Sequence, residues 1–159
     1  MKLNKYTLSF ALCSLAITMF ISCDVNVKKP TPKNTSTDEI LSADLAFSDM
    51  SRQIGMKKAF LQYIADEGVL LRPDHFPIVG ADAIDYISML SDTAYTLSWK
   101  PMRAQIAMSG EMGYTYGVYI LLLKDTTLKG TYVNIWKKGN DGEWKFVVNS
   151  NNPGISVQP

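Results

Sequence analysis

Few side chains in this sequence can move a proton near neutral pH. His75 is the single histidine of the 159-residue chain and follows Asp74 in the segment after Pro73. An imidazole titrates close to neutrality, so His75 is the first candidate for a general acid or base, and a solvated loop position explains it equally well. Asp66 and Glu67 stand just before an apolar, β-prone run at 68–72. There a carboxylate can point inward as a base or serve a turn or helix end. Cys13 and Cys23 both lie in the first 23 residues, so the body beyond them has no disulfide, thiol nucleophile or thiolate metal site. No Gly-rich phosphate loop, nucleophile elbow or metal-ligand spacing occurs, and neither a metal nor a cofactor is expected.

The residues best suited to hold something lie near the C-terminus. The stretch 130–150 reads GTYVNIWKKGNDGEWKFVVNS, two β-prone runs separated by Asn140-Asp141-Gly142. With Asn140 and Asp141 in a type I turn and Gly142 as the bulge residue, Tyr132, Asn134, Trp136, Trp144, Phe146 and Val148 share one face. The opposite face then carries Val133, Ile135 and Val147 beside Lys137 and Lys145, as suits the outside of a sheet. Trp144 and Phe146 read as core. Tyr132, Asn134 and Trp136 fit either core or the lining of a pocket, because a buried Asn134 needs a hydrogen-bond partner.

The elements that position this hairpin come earlier. Ser36-Thr37-Asp38-Glu39 forms a capping-box pattern, and Ile40, Ala43, Phe47, Met50 and Ile54 mark one helix face. Gly55 permits a bend before a second helical stretch with Ala59, Phe60, Tyr63 and Ile64. Residues 73–80 form a loop, and Ala83, Ile87 and Leu90 mark a third helix. From residue 97 onward the pattern is a meander of strands, at 97–108 and 114–123 and then the hairpin. Pro101 points to an edge or bulge in the first strand, and Arg103 and Gln105 are expected outside. Helices followed by a meander make an α+β pattern with helices on one sheet face.

The N-terminal segment gives a cellular address. Lys2 and Lys5 precede an apolar run at 6–21, and Ser22 precedes Cys23. This is an export signal, too short for comfortable bilayer crossing. It resembles a bacterial lipoprotein signal in which Cys23 becomes lipid-modified, although Phe20 stands where an aliphatic residue is more usual. The expected organisation is a signal peptide at 1–22, a lipid-anchored flexible tether at 23–37 and a single domain at 38–155, placed at the cell envelope. With 16 basic and 15 acidic residues and no basic stripe, nucleic acid is not an expected partner.

Several runs carry a family resemblance: Ala65-Asp66-Glu67-Gly68 with Leu71-Arg72-Pro73, then Val79-Gly80, the stretch 109–117 (SGEMGYTYG), Gly130-Thr131-Tyr132-Val133, and 135–145. They resemble the SnoaL-like branch of the nuclear transport factor 2-like superfamily, in particular a bacterial group of unknown function. The resemblance implies a cone-shaped, strongly curved, mostly antiparallel sheet wrapped around N-terminal helices, with a pocket between them. In such a cone Trp99, Tyr116, Tyr119, Tyr132, Asn134 and Trp136 are expected to line a site for a small apolar or aromatic molecule. Related enzymes include isomerases, dehydratases and hydrolases, whose chemistry needs an acid or base inside the cone; His75, overhanging the pocket, and Asp66 are the catalytic candidates. Many such proteins carry a polar residue on the inner face of the last strand, where Trp144, Phe146 and Val148 are expected here, and Asn149 stands where relatives have an acid. Three readings stay open: a lipid-anchored binding domain, an enzyme using His75, or a dimeric interaction module with a filled pocket. Leu121, Leu122 and Leu123 make both faces of their strand apolar, which suits a homodimer through the outer sheet face.

Overall fold

The computed structural model describes residues 36–155. The expected signal peptide, nearly all of the tether and Cys23 lie outside the described residues. Ser36 caps helix α1 (Thr37–Ile54), its Oγ accepting from the Asp38 amide at 3.1 Å. This hydroxyl satisfies one of the amide groups that the first helical turn leaves without an intrahelical acceptor. Ile40 and Phe47 are fully buried on the inner face of α1, whereas Ile54, expected on that face, is exposed at the helix end.

Gly55, at φ 99°, turns the chain into α2 (Met56–Tyr63). The Asp92 carboxylate accepts from the Lys57 amide at 2.8 Å, capping α2 from a distant segment. A Cβ at position 55 would meet that carboxylate, so glycine is required for close approach as well as for its backbone angle. Strands β1 (Ile64–Leu71) and β2 (Ile78–Val79) lead to α3 (Ala81–Met89). The meander follows as β3 (Tyr95–Ile106), β4 (Met112–Leu123), β5 (Thr127–Lys138) and β6 (Trp144–Pro153).

The six strands form one curved sheet in the order β2-β1-β6-β5-β4-β3, antiparallel except for the parallel β1/β6 pair. The fold is therefore α+β with the helices against one sheet face, as the sequence pattern implied. Pro101 lies on the edge strand, and the β3/β4 register shifts between Pro101 and Arg103. Arg103 and Gln105 are exposed. The free edge of β3 is not left open. Ser48 Oγ accepts from Trp99 N at 2.8 Å and donates to Trp99 O at 2.7 Å, and Ser51 Oγ donates to Leu97 O at 2.7 Å. Helix α1 thus satisfies edge groups that would otherwise pair with another strand.

The hairpin turns as its residues require. Gly142, at φ 88°, donates its amide to Gly139 O, and the Gly139 amide donates to Glu143 O, which brings Trp136 and Trp144 inward together. One part of the expected face is corrected. Ile135 faces Val148 while Trp136 faces Phe146, so Val147 is an extra residue on β6. This bulge inverts the alternation beyond it: Val148 shares the outer face with Ile135, and Asn149 turns inward and is buried. The core centres on Phe47, whose ring lies 4.5 Å from Trp99, 4.8 Å from Phe60 and 5.5 Å from Phe146, centroid to centroid.

Candidate functional site

Asp44 lies on the buried face of α1, one turn after Ile40 and three residues before Phe47, with 0% of its surface exposed. Trp99 Nε1 donates to its Oδ1 at 2.8 Å, Asn134 Nδ2 to the same oxygen at 3.2 Å, and the Tyr132 hydroxyl to Oδ2 at 2.7 Å. These donors come from β3 and β5, so one carboxyl group ties the helix to both strands. Burial pushes the Asp44 pKa up from its ordinary 3.8, and the donors from Tyr132, Trp99 and Asn134 offset this only in part because all are neutral. The Tyr132 hydroxyl, buried against Asp44, is held far above its ordinary range and remains a donor.

The hydrogen bonds continue outward in one direction. Asn149 Nδ2 donates to Asn134 Oδ1 at 2.6 Å, and Arg72 Nη2 donates to Asn149 Oδ1 at 2.6 Å. Arg72 Nη1 also donates to the Asn149 carbonyl at 3.2 Å and to the Leu71 carbonyl at 3.0 Å. A polar chain therefore runs from Arg72 at the end of β1, through two amides, to Asp44 beneath the helix. Each amide has its oxygen toward Arg72 and its nitrogen toward Asp44, an alignment in which the bonds polarise one another.

A cavity of about 120 Å³ lies alongside this chain. Met56 and Phe60 of α2, Tyr86 and Ile87 of α3 and Leu90 just after it form one wall. Leu97, Trp99, Tyr119 and Tyr132 of the sheet form the other. Arg72, Asn134, Asn149 and Asn151 supply the polar lining. An enclosed apolar cavity of about 150 Å³ takes benzene, so this smaller space holds a body of at most about one ring. The Asn151 Oδ1 atom is buried without a hydrogen-bond partner among the described residues.

Of the expected lining residues, the structure brings Trp99, Tyr119, Tyr132 and Asn134 together at this cavity. Trp136 is 0% exposed but packs in the core between Phe47 and Phe146, donating from Nε1 to Thr115 Oγ1 at 2.8 Å; it does not line the cavity. Tyr116 is 40% exposed on the outer face, stacked with Tyr114, because strand alternation sets it opposite to Tyr119. Asp66 is exposed within β1, where the pairing with β6 is irregular, and lies away from the cavity. His75 is exposed in the loop, with Nδ1 donating to the Pro73 carbonyl at 2.9 Å. Its ring meets the edge of Tyr86 at 5.7 Å, outside the wall that Tyr86 provides. Among the described residues no His, Cys, Asp and Glu group is arranged to hold a metal ion.

Asp44, Arg72, Asn149 and Asn151 escaped the sequence reading as site residues. Asp44 had a legible signal, a charged residue spaced by four and three between Ile40 and Phe47 on an apolar helix face. Asn149 and Asn151 had none, because their orientation depends on the bulge at Val147.

The chain superposes on a ketosteroid isomerase-like protein from Erwinia carotovora atroseptica with a TM-score of 0.62 at 14% identity, covering 80% of this chain and 100% of that one. A nuclear transport factor 2-like superfamily protein from Salmonella enterica serovar Typhimurium gives a TM-score of 0.57 at 11% identity, over 77% of this chain and 93% of that one. An LEH-like epoxide hydrolase from M. tuberculosis gives 0.53 at 13% identity, over 75% of this chain and 81% of that one. No family model and no curated protein matches the sequence. The chain has the nuclear transport factor 2-like fold, the one its sequence resemblance implied.

Asp44 generates a pH prediction. Because its folded pKa is raised, the folded chain holds this proton above pH 3.8 while the unfolded chain releases it. Stability is therefore full below that value and falls as pH rises through the folded pKa. Asp44→Asn, which does not titrate, is expected to flatten that part of the profile in urea unfolding. Asp44→Ala strands three buried donors and is expected to lose about 3 kcal/mol or more. Equal pH profiles for wild type and Asp44→Asn would contradict the assignment.

Proposed function

We propose that the chain is an exported, lipid-anchored binding domain that holds a small, mostly apolar molecule in the cavity between α2, α3 and the inner sheet face. The observation that carries this reading is the lining itself, with aromatic and aliphatic walls and a few convergent polar groups, including the unpartnered Asn151 oxygen. Ligand sites have this composition, whereas a closed core leaves few buried acceptors without partners. Nuclear transport factor 2-like folds often bind small molecules or catalyse isomerase and hydrolase reactions, and two proteins sharing this fold bear the names ketosteroid isomerase-like and epoxide hydrolase. Binding without turnover is the better fit for this cavity. Its polar lining is a guanidinium, tyrosines and three amides, and the acid beneath it, Asp44, is covered by its own donors. His75 is exposed and is not among the residues that line the cavity.

The outer sheet face favours a compatible second element. Tyr116, Ile120, Leu122 and Val133 are each at least a third exposed there, and burial of such a face against a second copy is proposed. A monomeric mass at micromolar concentration by light scattering would count against it.

Two measurements on the chain recovered from bacterial envelopes test the binding and anchoring. Native mass spectrometry is expected to show a retained small molecule on wild type and on His75→Gln, and none on Leu97→Trp, whose indole would occupy the cavity, with circular dichroism confirming that this variant is folded. Palmitate labelling is expected to disappear in Cys23→Ser. Bare wild-type protein that also fails in a ligand screen would refute the binding reading, and unchanged labelling of Cys23→Ser would refute the anchor.

A further inference from the structure

Arg72 carries a positive charge into the cavity wall and makes no ion pair among the described residues. A guanidinium has five N–H donors. Three of Arg72's are used, and all three go to neutral oxygens: the Leu71 carbonyl, the Asn149 carbonyl and Asn149 Oδ1. The ion pairs among the described residues are Arg52 with Asp49 and Lys138 with Glu39, and neither involves Arg72. Burial pulls its pKa down from 12.5, and the neighbouring Tyr86 offsets this only in part. Asp44 does not supply the missing charge. It stands two amides away, closed off by its own donors, and burial disfavours its ionised form.

The amide chain holds the guanidinium rather than neutralising it. Asn149 grips Arg72 through both its side-chain and main-chain oxygens, which fixes the fork and leaves Nε and one Nη2 hydrogen without a protein partner among the described residues. Arginine in such a state presents a planar pair of donors matched to a carboxylate. A second, independent feature points the same way. Asn151 lines the same cavity, and its Oδ1 is buried without a hydrogen-bond partner among the described residues, so a small turn of this side chain would offer the acceptor to an O–H or N–H donor on the occupant.

From this geometry we infer that the ligand is a small monocarboxylate whose carboxylate pairs with Arg72 and whose apolar body, up to about one ring, lies between Trp99, Tyr119 and Ile87. The inference rests on the binding reading above and names its ligand class. A dianion such as a phosphate monoester fits less well. Arg72 is the one cationic side chain of the lining, and a second negative charge would be buried without compensation.

The test is an NMR titration of the full chain in detergent micelles, following the Trp99 indole and Asn151 side-chain amide signals with benzoate, 4-hydroxybenzoate, benzamide and inorganic phosphate. Benzoate is expected to bind roughly tenfold or more tightly than benzamide, the scale of a hydrogen bond to a charged group. 4-Hydroxybenzoate is expected to bind tighter still. Arg72→Gln is expected to bring benzoate down to the benzamide level without changing benzamide, and Arg72→Lys, which keeps the charge, to retain part of the preference even if the glutamine variant folds poorly. Benzamide binding as tightly as benzoate would overturn the carboxylate assignment while leaving the pocket reading in place. Phosphate displacing benzoate at equal concentration would overturn it in favour of a general anion site. Shifts with none of the four probes would overturn both.

Discussion

A carboxyl group with no access to water must gather donors or keep its proton, and the architecture of this domain follows from how Asp44 does so. Its oxygens draw Trp99 from the edge strand and Tyr132 and Asn134 from a central one onto the same turn of α1. Ser48 and Ser51, one and two turns along, bind the backbone of that edge strand. The long helix is thereby fixed across the sheet by directional bonds as well as by the aromatic packing around Phe47. Apolar packing alone tolerates sliding and repacking, whereas three donors converging on two oxygens define one arrangement.

The same bonds shape the cavity. Tyr132 and Asn134 are held by Asp44 on one side and present their other surfaces to the open space. Asn134 passes the constraint to Asn149, and Asn149 passes it to Arg72. Preorganised polar groups bind best because the ordering has been done during folding. The cost appears in the unfilled valences at the outer end of the chain, where Arg72 has donors to spare and Asn151 an acceptor. Polar groups left in this state weaken the folded domain. Their presence beside the cavity is what supports the proposed site.

Much of the fold was legible in the residues. The capping serine at position 36, the glycine bend at 55, the edge proline at 101 and the Asn140-Asp141-Gly142 turn each act locally, so each could be read from a few neighbours. Four of the six expected lining residues were legible for a related reason. Tyr119, Tyr132 and Asn134 sit on strands whose alternation runs unbroken, and Trp99 lies just before the shift at Pro101. Trp136 shares the inner face, but the rings around Phe47 leave no space against it. Beyond Val147 the reading failed, because a single inserted residue exchanges the two faces and leaves no mark in composition. Asp44 was legible but overlooked, since attention to the apolar members of a helix face passes over the polar one among them.

The polar groups at the outer end of the chain are proposed to serve a ligand and to contribute little to the fold. Asn151 isolates this claim, because its side chain lines the cavity and its oxygen has no hydrogen-bond partner among the described residues. The most direct measurement is the urea-unfolding midpoint of Asn151→Leu beside wild type without ligand. The account predicts a midpoint equal to or above that of wild type, since an apolar side chain of similar size removes a stranded acceptor. A lower midpoint corresponding to a loss of about 2 kcal/mol or more in unfolding free energy, the range typical of a broken structural interaction, would contradict it.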